Sequence, residues 1–190
     1  MTEEIIIAGF GGQGVLSMGK ILAYSGIMED QEVSWMPSYG PEMRGGTANV
    51  VVILSDDRIS SPILNEFDTA IILNQQSMDK FESMVKPGGL LLYDPNGITS
   101  HPKRKDITIA TIEGAKEASE LKNKKTFNMV ILGAFLKVHP IVKMENVHKG
   151  LKNSLPKRHH HLIPLNESAI KIGMKKVKII QKFKQLHQVI

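Results

Sequence analysis

A glycine-rich segment near the start of the chain has the residue types and spacing of a phosphate-binding turn. Gly9, Gly11 and Gly14 satisfy the pattern G-x-G-x-x-G, and Gly12 and Gln13 complete the segment. Glycines let such a turn tighten and let backbone N–H groups approach an anion, and a helix that begins after it adds partial positive charge. The sequence therefore predicts a phosphate-bearing ligand. The alternative is that the glycines only pack a helix against a strand.

A second polar segment follows the next predicted strand and reads Tyr-Gly-Pro-Glu-Met-Arg-Gly-Gly over residues 39–46. In an open α/β sheet this position lies at the carboxyl edge, beside the glycine turn. An arginine between small residues can hold phosphate or carboxylate through two parallel hydrogen bonds, although an intersubunit salt bridge is an equal alternative. The candidate binding residues in this segment are Tyr39, Glu42, Arg44, Gly45 and Gly46.

The chain lacks the acid that NAD-binding proteins carry near the end of their second strand. That acid holds the ribose and lies about 20 residues beyond the glycines. Here the corresponding place, residues 34–37, reads Ser-Trp-Met-Pro, and the nearby acids Glu29, Asp30 and Glu32 come before the strand or at its start. We therefore do not expect an NAD-dependent dehydrogenase, and a stand-alone nucleotide-binding protein remains an alternative.

Other reactive groups are scarce. The sequence has no cysteine, which excludes disulfides, thiolate zinc sites, cysteine-ligated iron–sulfur clusters and a cysteine nucleophile in this chain. Three consecutive histidines, residues 159–161, are a poor metal site because side chains along an extended segment alternate in direction. We assign no catalytic residue and no metal ligand to the chain.

Buried strands that alternate with helices must position these segments. The pattern predicts a Rossmann-like, doubly wound α/β fold with a mainly parallel sheet and C-terminal helices. Strand 48–54 has no crossover helix before it, so antiparallel pairing is open to it. Strands are predicted over residues 4–9, 32–36, 48–54, 69–73, 90–93 and 107–112, and helices after residue 14 and over 78–85, 113–121, 126–138, 144–155 and 168–190.

The charge is unevenly distributed. The 190 residues carry a net charge of +5, but from Lys137 onward twelve Lys/Arg face two acids, about +10. This asymmetry indicates either an anionic partner or solvated helix faces. We expect one domain over residues 1–190 with a basic C-terminal helix at about 166–190, whose apolar stripe favours docking on protein over nucleic acid. The acidic start and short apolar runs favour a cytoplasmic protein without membrane contact.

Several segments together resemble the gamma subunit, or gamma domain, of the 2-oxoacid:ferredoxin (acceptor) oxidoreductases, with the 2-oxoglutarate type nearest. The more specific ones are Gly-Phe-Gly-Gly-Gln-Gly at residues 9–14 and Pro-Ser-Tyr-Gly-Pro-Glu-Met-Arg-Gly-Gly at 37–46. Further matches are Lys-Pro-Gly-Gly at 86–89, Asn-Met-Val at 128–130 with Gly133 and Ala134, and Leu-Asn at 165–166. They are spread over nearly the whole chain.

The resemblance implies a role within a larger enzyme. Such enzymes convert a 2-oxoacid to an acyl-CoA and CO2 and pass electrons to ferredoxin or flavodoxin. Thiamine diphosphate and magnesium belong to alpha and beta subunits, and iron–sulfur clusters to beta and a ferredoxin-like delta subunit or domain. The gamma part is Rossmann-like and is expected to serve assembly and the coenzyme A side of the site, without catalysing alone. Pyruvate, branched-chain 2-oxoacids and indolepyruvate remain alternative substrates.

Overall fold

A computed structural model describes residues 1–39 and 46–183 of the chain. Within these residues seven strands and six α-helices alternate. The strands are β1 (Thr2–Phe10), β2 (Glu32–Tyr39), β3 (Thr47–Ser55), β4 (Phe67–Ile72), β5 (Val85–Tyr93), β6 (Thr108–Thr111) and β7 (Lys178–Gln181). The helices are α1 (Val15–Ile27), α2 (Gln75–Phe81), α3 (Gly114–Glu120), α4 (Phe127–Val138), α5 (Met144–Ser154) and α6 (Ile163–Lys176).

The strands form one sheet in the order β2-β3-β1-β4-β5-β6-β7. The four strands β1, β4, β5 and β6 are parallel neighbours, whereas β3 runs antiparallel between β2 and β1, and β7 runs antiparallel on β6. All strands except β3 and β7 therefore point the same way. The predicted α/β fold with a mainly parallel sheet is confirmed, and the strand that lacked a crossover helix is antiparallel.

Helices cover both faces of the sheet because the central strands are apolar on both sides. In β1, Ile5 and Ile7 contact one buried cluster, whereas Ile6 and Ala8 contact the other. Side chains alternate across a strand, so a continuous apolar run contributes side chains to the buried clusters on both faces of the sheet. The larger cluster packs against α1, α4, α5 and α6, and the smaller one against α2.

Two strands extend further than their sequence pattern indicated. Pro37 was expected to end the second strand, but β2 continues to Tyr39 and Pro37 pairs with Val50. Because β2 lies at the edge of the sheet, a residue without an N–H group is tolerated there. The strand β5 starts at Val85 and includes residues 87–89, which we expected to end a helix; its pairing with β4 shifts register there.

The prediction of one long C-terminal helix is wrong for residues Lys178–Gln181. The helix α6 ends at Lys176, and the next residues turn back as β7, which pairs with β6. Ile179, expected on the apolar stripe of that helix, instead pairs with Ala110 in the sheet. The apolar residues have helical spacing, and this spacing carries no information about the edge of the sheet. The edge strand β6 supplies hydrogen-bond partners for an extended segment, so these residues form a strand. Residues 184–190, with two further stripe positions, lie outside the described residues.

Candidate functional site

The glycine turn joins the end of β1 to the start of α1, as predicted. Gly12 and Gly14 adopt φ values of 98° and 77°, a region that side-chain-bearing residues rarely occupy. A Cβ atom on Gly14 would lie 2.4 Å from Nδ2 of Asn128, and one on Gly9 would lie 2.5 Å from Oε1 of Gln13. A Cβ on Gly12 would meet nothing within 4 Å. Gly9 and Gly14 therefore serve packing, and Gly12 is the open apex of the turn.

The side chain of Gln13 stabilises the turn through two hydrogen bonds to the backbone. Its Oε1 accepts a hydrogen bond from the Phe10 N–H at 2.6 Å, and its Nε2 donates to the Leu73 carbonyl at 3.3 Å. Both ends of the amide are thus engaged by backbone groups of the strand ends β1 and β4. This arrangement assigns Gln13 a part in shaping the turn, since reaching a ligand would require breaking these bonds.

The turn presents backbone donors at the start of α1. Among the described residues, no acceptor bonds to the N–H groups of Val15, Leu16 and Ser17, as is normal for a first helical turn. The N-cap position is Gly14, which offers no side chain to satisfy them. These amides and the helix dipole together favour negative charge at this end of the helix.

The backbone also joins the two segments that the sequence singled out. The Gly11 N–H donates to the Gly46 carbonyl at 2.9 Å, next to the first residue of β3. Of the remaining predicted site residues, Tyr39 is the last residue of β2. Glu42, Arg44 and Gly45 lie outside the described part of the chain.

The strand order places β3, and not β2, beside the glycine turn. In this sheet the neighbour of β1 on that side is β3, not β2, and β3 runs antiparallel. The turn is therefore flanked by the start of β3, where Phe10 pairs with Thr47 and Gly9 with Ala48. Neither of these two described neighbours is acidic, and Glu42 lies outside the described residues.

Two cavities flank the turn, and Gly12 lines both. The first, here called the turn cleft, has a volume of about 750 Å³ and lies between the turn, the start of α1 and strands β2 and β3. Its described lining carries no charged side chain: Phe10, Gly11, Gly12, Gly14, Val15, Leu16, Ser17, Trp35, Pro37, Gly46, Thr47 and Ala48. The segment 40–45, which includes Arg44, lies outside the described residues.

The second cavity, here called the strand-end crevice, has a volume of about 420 Å³. It lies where β1, β4 and β5 end and is closed by α3 and the turn before α4. Its lining is Gly12, Gln13, Leu73, Asp94, Asn96, Gly97, Ala115, Ala118, Ser119, Lys124 and Phe127. The sequence analysis missed Leu73, Asn96 and Lys124 as neighbours of the turn. The sequence signal for two of them was their position at predicted strand ends: Leu73 is the last residue of strand 69–73, and Asn96 comes shortly after strand 90–93.

The one carboxylate in the crevice lining is engaged within the protein. Oδ1 of Asp94 accepts hydrogen bonds from the Asn96 N–H at 2.9 Å and from Asn96 Nδ2 at 2.8 Å. Its Oδ2 accepts the Ala115 N–H at 3.0 Å. Asp94 is buried, and it caps α3 as well as the turn after β5. These bonds show that Asp94 serves the local fold, and its carboxylate contributes a negative charge to the crevice lining.

An open, mainly parallel α/β sheet with a glycine turn between its first strand and first helix places the chain in the Rossmann-like class of folds. The family model described as pyruvate ferredoxin/flavodoxin oxidoreductase matches residues 4–176, and the chain therefore belongs to this family of oxidoreductases. Among the residues that the model describes, no helix has the length and apolar character that crossing a bilayer requires.

Named relatives differ in their substrates. The ketoisovalerate oxidoreductase subunit VorA of Methanothermobacter marburgensis is 38% identical over 133 residues, which are 70% of this chain but only 28% of VorA. The chain thus spans less than a third of that relative. The 2-oxoglutarate synthase subunit KorC of Methanocaldococcus jannaschii is 36% identical over 160 residues, 83% of this chain and 86% of KorC.

A solved structure has the same fold over nearly the whole chain. It is the gamma subunit of a keto/oxoacid ferredoxin oxidoreductase from Geobacter sulfurreducens, with a TM-score of 0.80 and 28% identity. The match covers 93% of this chain and 96% of the other. The resemblance to gamma subunits inferred from sequence motifs is confirmed.

Proposed function

We propose that this chain is the gamma subunit of a 2-oxoacid:ferredoxin oxidoreductase. The observation that carries the proposal is the match, over almost the full length of both chains, to a gamma subunit of known structure. In the proposed complex, alpha and beta subunits bind thiamine diphosphate and magnesium, and a ferredoxin-like delta subunit or domain carries iron–sulfur clusters. This chain has no cysteine with which to ligate a cluster.

Within that complex the chain supports assembly and the coenzyme A side of the site. The first-turn amides of α1, the open apex at Gly12 and the absence of an acid at residues 34–37 suit a phosphate-bearing ligand other than NAD. Coenzyme A fits this description because it carries a pyrophosphate and a further ribose phosphate. We propose that Gly11, Gly12 and Arg44 face the coenzyme A channel. Gln13 supports them by holding the turn in shape.

The proposed reaction is the oxidation of 2-oxoglutarate with coenzyme A to succinyl-CoA and CO2, with electrons passed to ferredoxin or flavodoxin. Support comes from KorC, which matches this chain over most of both lengths. A branched-chain 2-oxoacid is the second candidate, because VorA has similar identity over a shorter stretch. The substrate pocket itself belongs to the alpha and beta subunits, so activity measured on the complex decides between the two substrates.

The test is affinity purification of the tagged full chain from its native host. We expect thiamine-bearing and cluster-bearing subunits to copurify stably with the chain. The purified complex should reduce ferredoxin with 2-oxoglutarate as the electron donor, and this activity should require CoA. The isolated chain should not turn over. A chain that purifies without partners and binds a dinucleotide would contradict the proposal.

A substitution tests the coenzyme A side of the same proposal. Arg44→Ala should raise the apparent KM for CoA about tenfold, because one charged hydrogen-bonding contact is lost. The matched control is Arg58→Ala, an exposed arginine just beyond β3, at the opposite edge of the sheet. If Arg44→Ala left both complex assembly and the KM for CoA unchanged, this role of Arg44 would be wrong.

A further inference from the structure

The strand β7 lies at one side of the sheet, and among the described residues no strand pairs with its outer edge. An edge strand leaves backbone N–H and C=O groups on its outer side without partners in the sheet, and a further strand can pair with them. Ile179 and Ile180 are each about half exposed, although both lie in this strand. The edge therefore combines open backbone groups with apolar surface.

The side chains around this edge are mainly basic. Lys178 lies in β7 and Lys182 follows it, and the strand itself contains no acid. Two more exposed lysines, Lys103 and Lys105, belong to the segment before β6, to which the side chain of Gln181 is hydrogen-bonded. Within the described ranges, none of these four lysines forms an ion pair. Their charges favour an anionic partner.

The two faces of the edge differ in character. A cavity of about 540 Å³ lies beside β7 on one face of the sheet, and both Lys178 and Ile180 line it. Ile179, between them, is not part of this lining, because side chains alternate across a strand. It pairs instead with Ala110, which belongs to the larger buried cluster on the other face. A cation thus faces the cavity, and an exposed isoleucine lies on the opposite face.

The acids that line the cavity already have cationic partners. Nζ of Lys116 lies 3.3 Å from Oε2 of Glu113, and Nζ of Lys176 lies 3.7 Å from Oε1 of Glu117. Of the three lysines in the described lining, Lys178 is the one without an ion pair in the described ranges. A carboxylate that enters the cavity from the edge would meet this ammonium group without displacing an internal partner.

We propose that the outer edge of β7 docks an extended, acidic segment of a partner protein, which adds to the sheet as a further strand. A second copy of this chain does not suit the edge, because pairing two β7 strands would bring their lysines together. In the added strand, residues on one face lie next to Lys178, and residues on the other face lie next to Ile179. The segment should therefore alternate acidic and apolar residues.

This docking site goes beyond the gamma-subunit proposal. The family match ends at residue 176, so β7 lies beyond the residues that the family model covers. The site also lies at the side of the sheet and involves neither the glycine turn nor coenzyme A.

The experiment is a fluorescence anisotropy titration of the full chain with labelled peptides. The probe is Glu-Val-Glu-Val-Glu-Val with blocked ends, and its matched control is Glu-Glu-Glu-Val-Val-Val, which has the same composition and charge without the alternation. The alternating peptide should bind about tenfold more tightly, since only it can place acids on one face and apolar side chains on the other. The same peptide methylated at alternate backbone nitrogens cannot pair as a strand on its blocked side, and it should bind about as weakly as the control.

Two further measurements locate the bound peptide. Amide hydrogen exchange in β7 should slow when the alternating peptide binds, because its outer backbone groups become paired. Lys178→Glu should weaken the alternating peptide about tenfold, because an attractive contact becomes repulsive. Lys152→Glu, an exposed change on α5, is the matched control and should leave the affinity unchanged. Thermal unfolding of both variants shows whether they are folded.

Several results would overturn the docking site. They are an alternating peptide that binds no better than its control, binding without slower exchange in β7, and an equal effect of Lys152→Glu, which would indicate a general effect of charge. Tighter binding of a single-stranded oligonucleotide of similar charge would assign the basic edge to nucleic acid instead. All of these outcomes leave the gamma-subunit proposal standing, since copurification tests that proposal separately.

Discussion

A buried carboxylate links the end of α4 to the start of β1, at the sheet edge opposite the glycine turn. Glu3, which is 7% exposed, accepts a hydrogen bond from the Thr69 hydroxyl at 2.7 Å and pairs with Nε2 of His139 at 2.9 Å. The bond to Glu3 raises the pKa of His139, burial opposes this, and the charges of Glu3 and Asp68 add to the rise. A cation also suits this position, because His139 caps the carboxyl end of α4.

This pair predicts a pH-dependent part of the stability. A raised folded-state pKa means that the contribution of protonated His139 is complete below its unfolded pKa of about 6.5 and is lost as pH rises through the folded value. The imidazole is 38% exposed, so we expect about 1 kcal/mol or less. Urea unfolding at pH 6.0 and 8.5 should show the advantage of the wild type over His139→Gln shrinking at the higher pH. The same advantage measured in a Glu3→Gln background should change less with pH, because the main cause of the raised pKa of His139 is then removed; a change as large as in the wild-type background would contradict the assignment.

At the scale of elements, α4 and α6 pack with their backbones in contact. A Cβ on Gly173 would lie 1.9 Å from the Val130 carbonyl oxygen, and one on Gly133 would lie 2.0 Å from the Ile170 carbonyl oxygen. No side chain can move aside to relieve such overlaps, because the nearest atoms belong to the backbone of the other helix. The two glycines therefore fix the distance between these helices.

Gly173→Ala should force the helices apart and reduce the free energy of unfolding by about 2 kcal/mol, since overpacking outweighs the better helix propensity of alanine. Lys171→Ala, on the exposed side of the same helix, should change it by no more than about 0.5 kcal/mol. Urea denaturation monitored by circular dichroism measures both. A Gly173→Ala variant as stable as the wild type would show that the contact relaxes without strain.

Elements with strong local signals were predictable from sequence, and elements that depend on neighbours were not. The helix expected at 126–138 is observed as Phe127–Val138, because its apolar residues and small residues specify burial locally. The extension of β2 through Pro37 and the strand β7 depend on edge positions that only the strand order creates. The same holds for the site. Glycine spacing predicted the turn from local sequence. Lys124 and Leu73 were not predictable as its neighbours, because they come from segments far along the chain.

At the scale of the whole molecule, the two buried clusters are complete before the last strand. The last fully buried apolar residue that they contain is Ile170, with Met174 and Val177 packed against them. In β7, by contrast, Ile179 and Ile180 are each about half exposed. The family match likewise ends at residue 176. The strand β7 therefore extends the sheet without supplying much of its core.

A chain truncated after Val177 should still fold cooperatively. It loses the pairing of β7 with β6 and the two hydrogen bonds that Gln181 Nε2 donates to the carbonyls of Arg104 and Ile107, at 3.1 and 2.8 Å. The two side-chain bonds alone account for an expected loss of about 2 kcal/mol, at about 1 kcal/mol each. Truncation after Ala169 is the control: it removes the buried Ile170 and the Gly173 contact, and we expect no cooperative unfolding. Thermal and urea unfolding compare the two chains with the full one. If the longer truncation also lost its cooperative transition, β7 would be required for folding, and the buried clusters alone would not account for the stability of the domain.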